Sequence, residues 1–335
     1  MRTHHDHLRP RFVLSLSLSL SLSLCLTACE DDDDDKDDDN DTPSAWLVGD
    51  NGAMHRIEAQ GDLASYPLQS QADLTDIACL GSATAWVSGE AGTILRTRDA
   101  GETWTIVDAA TTADLTSIAT VEATPEGAES VWVVGERGFA ALTTDGGARW
   151  TTLDAGAVDF TGVATGHHGA IALATSDDGT IWRLAPDGAQ RLLEAPLPLH
   201  AIAMTPDGGT AVAVGDAGAI WRSSDGARTW VPLATEVEDD LYAVAVASSG
   251  DYVVAVGDAG RVVVVDEGAI TRQRLPNATG ALRGLHLRSD GEGQAVGDSG
   301  MIWRTFDDGA TWTRLRADTH ADLTGVDDFH LGAHL

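Results

Sequence analysis

Acidic side chains recur along this chain at a regular interval, and they are its first candidates for chemistry. Asp50, Glu90, Glu136, Asp178 (or its neighbour Asp177), Asp216, Asp258 and Asp298 each fall one or two residues before a glycine that closes a short string. Carboxylates gathered on one surface attract cations or the basic patch of a protein. The plainer reading is that a short acid accepts amide hydrogen bonds within a glycine-bounded turn. A second acidic series, Asp73, Asp114, Asp159, Asp240 and Asp322, stands just ahead of runs patterned for β-strands. Inside those runs, one position after Leu or Phe holds Thr75, Thr116, Thr161, His200, Tyr242, Arg283 and Thr324. A repeat left to itself would keep Thr throughout. His200, Tyr242 and Arg283 therefore mark one sector as a candidate partner-binding site, with simple channel filling as the alternative. Arg283 offers a fixed positive charge, His200 a pH-dependent one and Tyr242 a flat donor-acceptor group.

No catalytic constellation emerges. A sialidase-like site needs converging arginines and a tyrosine nucleophile paired with a glutamate. The tyrosines are Tyr66, Tyr242 and Tyr252, none with an evident glutamate partner, and Arg56, Arg96, Arg183, Arg222 and Arg304 follow the repeat instead of a common centre. No catalytic residue and no cofactor is assigned. A carbohydrate-binding or sialidase-like propeller stands as the alternative function. No metal site is expected: His4, His5 and His7 lie in a segment expected to be removed, His167 and His168 suit a surface turn, and no Cys or His pairs have zinc spacing.

The elements that must position these residues come from an internal repeat. The string WLVGDNG at Trp46–Gly52 returns as WVSGEAG, WVVGERG, LATSDDG, VAVGDAG, VAVGDAG and QAVGDSG, ending at Gly92, Gly138, Gly179, Gly218, Gly260 and Gly300. A period near 40 residues built from short β-runs with turn residues between them is the signature of a four-stranded propeller blade. Helix periodicity is absent, which excludes a helical solenoid. The predicted fold is all-β, a seven-bladed β-propeller. The chain enters on a second strand at Ala45, and Asp322-Leu-Thr-Gly-Val-Asp supplies the missing innermost strand of the first blade. Closure of this kind leaves no open sheet edge.

A second motif separates third and fourth strands: TRDAGETW from Thr97, TTDGGARW from Thr143, SSDGARTW from Ser223 and TFDDGATW from Thr305. It resembles the Asp-box of bacterial-neuraminidase-type repeats, with Asp99, Asp145, Asp225 and Asp307 as structural acids that accept turn amides. The combination of V-G-[DE]-x-G, [GA]-x-I-[LW]-R and the Asp-box resembles the photosystem II stability and assembly factor family and its non-photosynthetic bacterial relatives, over Ala45 to about Asp328. That resemblance implies a non-catalytic propeller that assists membrane-protein assembly through an arginine-bearing face. This chain departs there, because its arginines occupy framework positions and its surface is acidic. Fold and scaffold role are what the resemblance carries over.

The ends complete the expectation. Arg2, Arg9 and Arg11 precede an apolar run too short to span a bilayer comfortably, followed by Leu26-Thr27-Ala28-Cys29, which resembles a bacterial lipobox. Residues 1–28 are read as a lipoprotein signal peptide, Cys29 as the lipid attachment site, 29–44 as an acidic disordered tether and 45–335 as the propeller. The aspartate run from Asp31 to Asp41 repels itself and buries nothing. With 21 Lys and Arg against 52 Asp and Glu, nucleic acid and anionic lipid surfaces are excluded as partners. The expectation is a monomer, exported and lipid-anchored to the cell envelope, binding a protein partner that presents a basic patch.

Overall fold

Glycine at the end of the second strand decides how six of the seven units turn. A Cβ at Gly49, Gly135, Gly215, Gly257 or Gly297 would lie 1.9–2.3 Å from the carbonyl oxygen just before the innermost strand of the same unit. That oxygen accepts the amide of the next residue, as in Asp50 N to Asp322 O at 3.0 Å and Glu136 N to Asp114 O at 2.9 Å. At these five glycines the backbone approach leaves no room for a side chain, and the V-G-[DE]-x-G string encodes it; the fourth unit makes the same amide bond, Asp177 N to Asp159 O at 3.0 Å, with Ser176 in the glycine's place.

The computed structural model describes residues 45–58, 61–68, 71–122, 129–166 and 169–329. The signal segment, Cys29, the aspartate run, His167 and His168 lie outside them. The described strands form seven four-stranded antiparallel sheets, each a blade. Blade 3 is typical: Leu115–Glu122 innermost, then Glu129–Gly135, Phe139–Thr143 and, outermost, Thr151–Asp154. Second strands are buried throughout except for the first residue in blades 2 and 6, as short continuous apolar runs are when other elements cover both faces.

Seven hydrophobic clusters hold the blades, and each lies at a junction between neighbours. One joins Trp46 and Val48 of blade 1 to Leu74, Ile77 and Val87 of blade 2. Another joins Val296 and Ile302 of blade 7 to Leu47, Leu323 and Val326 of blade 1. Leu323–Asp328, the last described strand, pairs antiparallel with Ala45–Gly49, with Ala45 opposite Asp328 and Leu47 opposite Val326. It packs on its other sides against the innermost strands of blades 7 and 2. The ring thus closes through the C-terminal strand, as the sequence implied.

Two faces follow from this topology. Turns joining second to third strands open where the innermost strands begin, so both acidic series share that face. The hairpins joining third to fourth strands, which carry the Asp-boxes, open on the other. Among the described residues no helix is long and apolar enough to cross a membrane.

Candidate functional site

The slot holding Thr75, Thr116, Thr161, His200, Tyr242, Arg283 and Thr324 is a β-bulge in every blade. Pairing runs from Leu74 opposite Gly89 directly to Asp76 opposite Ser88, and the same skip recurs in all seven sheets. A bulge re-aims the extra side chain. Here all seven line the axial channel, a cavity of about 180 Å³.

The threonines use that aim to clasp neighbouring blades. Thr324 donates to Leu74 O, Thr75 to Leu115 O, Thr116 to Phe160 O and Thr161 to Leu199 O, at 2.7–2.8 Å. Blades 5, 6 and 7 replace the clasp by a contiguous arc. The rings of His200 and Tyr242 lie 5.1 Å apart, and Arg283 Cζ sits 5.3 Å from the Tyr242 ring. Each of the three reaches the turn acid of its own blade. His200 Nε2 is 2.6 Å from Asp216 Oδ1, Tyr242 hydrogen-bonds Asp258, and Arg283 Nε donates to Asp298 Oδ1 at 2.6 Å. Burial would lower the pKa of Arg283, but the hydrogen bond and charge of Asp298 outweigh it and raise it. Burial together with Asp258 and Asp240 pushes the Tyr242 phenol up, so it remains a donor. Arg283 therefore neutralises Asp298.

The acidic turns divide accordingly. Asp216, Asp258 and Asp298 are engaged by the arc. In blade 4 the ring position belongs to Asp177, whose amide donates to Asp159 O at 3.0 Å as its counterparts do. Asp178 instead accepts Ser176 Oγ and Thr180 N, so its assignment to the ring is corrected to Asp177. The carboxylates of Asp50, Glu90, Glu136 and Asp177 have no side-chain hydrogen bond or ion pair among the described residues. The crowding raises two of them. Asp50 goes up through burial, Asp73 and Asp322; Glu90 goes up chiefly through Asp73, then burial, Asp114, Asp50 and Glu136. The exposed Arg137 stands in this arc, and Arg283 from the neighbouring sector partly offsets the rise of Asp50.

The plainer reading of the ring acids fails in one respect. Their carboxylates do not cap their own turns. The caps come from the second acidic series, one blade on: Asp73 Oδ1 accepts Asn51 N, Asp114 accepts Ala91 N, Asp159 accepts Arg137 N, Asp240 accepts Ala217 N and Asp322 accepts Ser299 N, at 2.6–2.8 Å. The donors have left-handed φ of 51–57°. Blades 5 and 7 begin with Pro198 and Ala281 and lack the staple.

Asp76, one residue past Thr75, is a half-buried channel acid. Burial raises its pKa to about 6, against hydrogen bonds from Ile118 N, Ser117 and Ile77 N that lower it. On the other face, Asp99 accepts Thr103 N, Thr103 Oγ1 and Thr97 Oγ1, and Asp145, Asp225 and Asp307 accept equivalent groups. These bonds hold Asp99 and Asp225 at about 2. The tyrosines do not converge. Tyr66 packs on Trp46, Tyr252 donates to Asp308 O on the Asp-box face, and Tyr242 lines the channel.

Sequence reasoning missed a charged seam where the ring closes. His286 of blade 7 meets Asp327 Oδ1 at 2.7 Å and Asp328 Oδ1 at 3.3 Å, while Asp327 Oδ2 accepts Cys79 N of blade 2. Burial would lower the His286 pKa, yet Asp327 and Asp328 carry it to about 10. These are metal-ligand residue types within ligand reach of one another. The protonated imidazole between the two carboxylates makes an ion-paired latch at the closure. The signal in the sequence was an acid pair ending the last strand.

Comparison with known proteins follows the same lines. Residues 55–158 match the model of the photosynthesis system II assembly factor YCF48 family. No curated protein matches. A YCF48 structure with bound D1 peptide superposes with a TM-score of 0.64 at 19% identity, covering 80% of this chain and 91% of that one. YCF48 from Cyanidioschyzon merolae gives 0.58 at 17%, covering 79% and 97%. The WD40 β-propeller domain of Doa1 gives 0.64 at 10%, covering 84% and 90%. At these identities the superpositions speak for the fold. The chain is thus a seven-bladed β-propeller, similar over residues 55–158 to the photosystem II assembly factor family.

Proposed function

We propose that this propeller is a non-catalytic scaffold, tethered to the cell envelope through Cys29, that binds a basic protein segment on its acidic face. The observation that carries the reading is the unpaired arc of Asp50, Glu90, Glu136 and Asp177, reinforced by Asp73, Asp114 and Asp159 between them. Repulsion from Asp73 already raises Glu90, and burial followed by Asp73 and Asp322 raises Asp50. A partner's Lys or Arg relieves that repulsion, and a field of one sign steers its approach. The YCF48 structure with a D1 peptide supports a protein as the ligand of such a propeller. Blades 5–7, where arc residues consume the acids, form the quieter edge of the contact. The signal peptide, lipid anchor and aspartate tether of residues 1–44 belong to this proposal as the means of export and attachment.

The test compares two variants in crosslinked pull-downs from envelope extract. Asp50→Asn/Glu90→Gln/Glu136→Gln removes the arc, and His200→Thr/Tyr242→Thr/Arg283→Thr restores the clasp residue of the other blades. Partner recovery should fall with the first and with added salt, and persist with the second. Loss with the second alone would move the contact to the channel and overturn the acidic-face reading.

A further inference from the structure

Trp46, Trp86 and Leu173 occupy one register position in blades 1, 2 and 4. Each is paired across the sheet with a third-strand arginine: Arg56, Arg96 and Arg183. In blades 1 and 2 the guanidinium lies over the indole, with Cζ 5.8 and 5.2 Å from the ring centroid. The Asp-box of the following blade covers that indole, and the box residue above it must be glycine. A Cβ at Gly101 would meet Trp46 at 2.1 Å, and one at Gly147 would meet Trp86 at 3.0 Å.

Blade 4 keeps the arginine and the covering box but not the indole. The box residue equivalent to Gly101 and Gly147 is Ala227, buried with φ 62°, which the smaller Leu173 permits. Between them opens a cleft of about 600 Å³ on the Asp-box face, walled by Leu173, Leu192, Met204 and Ala227 with Arg183, Arg228 and Asp207 beside them. That volume is in the range of ligand pockets, ~300–1,000 Å³. Ile171, 44% exposed, stands at its edge. Arg183 is half-buried and has neither hydrogen bond, ion pair nor ring partner among the described residues. Arg56, Arg96, Arg222 and Arg304, its counterparts, each have a polar partner.

We propose that this cleft receives an aromatic side chain of a protein partner, stacked on Arg183, with an acidic residue beside it on the partner paired to Arg183 or Arg228. The occupant's chemistry is read from the same chain, which fills the equivalent space twice with an indole under an arginine. The Ala227 methyl closes the innermost part, so the incoming ring lies further out, over Arg183 and Leu192. Arg183 and Arg228 outnumber Asp207 in this lining, a local exception on a chain of net charge −31, and they favour an acidic flank. The inference concerns the face opposite the acidic arc and stands independently of it.

Methyl-labelled methionine makes the test direct. Met204 lines the cleft, while Met54 and Met301 are buried elsewhere and report the fold. The probe is the capped peptide Ac-Gly-Asp-Trp-Asp-Gly-NH2. It should shift Met204 saturably and leave Met54 and Met301 in place. A Trp→Leu peptide, an Asp→Lys peptide and the Arg183→Gln protein should each bind about tenfold more weakly or worse. Leu173→Trp, which supplies the ring internally, should abolish the shift. If Leu173→Trp perturbs Met54 or Met301, Arg183→Gln decides alone. An unmoved Met204, equal binding of the leucine peptide or undiminished binding to Arg183→Gln overturns the proposal. N-acetyl-tryptophan binding as tightly as the peptide would overturn the protein partner as occupant.

Discussion

Removing the proton from His286 should loosen the closed ring. Its pKa, about 10 in the folded protein against an ordinary 6.5, lies above the unfolded value. Its stabilisation is therefore fully present below pH 6.5 and is lost as pH rises through about 10. The full span of 3.5 units corresponds to ~5 kcal/mol. Between pH 6.5 and 8.5 the unfolded chain gives up its imidazole proton while the folded one keeps it, which lowers stability by roughly 2 kcal/mol. Cys79, pushed well above its usual range by burial and the two aspartates, contributes only above this window. Urea unfolding of wild type and His286→Gln across the window isolates the histidine, because their difference should shrink by that amount. Imidazole nitrogen chemical shifts should show His286 doubly protonated at pH 8.5. A pH-independent difference, or a neutral ring at pH 8.5, would refute the latch.

Deleting residues 321–335 removes the closing strand, with buried Leu323, Val326 and Phe329. At ~1.5–3 kcal/mol each this costs roughly 5–9 kcal/mol, comparable with a whole domain's net ~5–15. A melting temperature within a few degrees of wild type would contradict the closure energetics. The His200→Thr/Tyr242→Thr/Arg283→Thr protein should fold and melt close to wild type, since threonine there can reach the carbonyls of Leu241, Leu282 and Leu323; aggregation would show that the arc is required for folding. Cys29→Ala should abolish acylation, read by mass analysis of the N-terminus, and a wild-type mature chain beginning elsewhere without lipid would remove the anchor from the account.

The blades and their closure were legible because they rest on local signals repeated seven times. Gly before the acid, alternating turns and an orphan final strand fix pairing without long-range information. What lay beyond reach was contact between blades. The bulge that turns Thr75 and its counterparts into the channel looks, in sequence, like ordinary strand. The capping of Asn51 by Asp73 and of Ala91 by Asp114 joins units whose order alone gives no distance. For the same reason the arc of His200, Tyr242 and Arg283 stood out as unusual, yet its pairing with Asp216, Asp258 and Asp298 did not. In blade 4 two adjacent aspartates left the register open by one residue, and only the amide bond of Asp177 resolves it. Leu173 in the tryptophan position was visible as the looser repeat copy, but its consequence, a cleft under an unpartnered arginine, requires the box of the next blade.

The most direct test of the central claim places a photo-crosslinking amino acid in living cells at Thr112, an exposed residue on the loop entering blade 3 beside the acidic arc, and separately at Ile106 on the outermost strand of blade 2. One discrete protein adduct should form from Thr112, absent from Ile106 and lost when Asp50, Glu90 and Glu136 are neutralised. No adduct at Thr112, or one indifferent to those three charges, would contradict a scaffold that holds its partner through the acidic face.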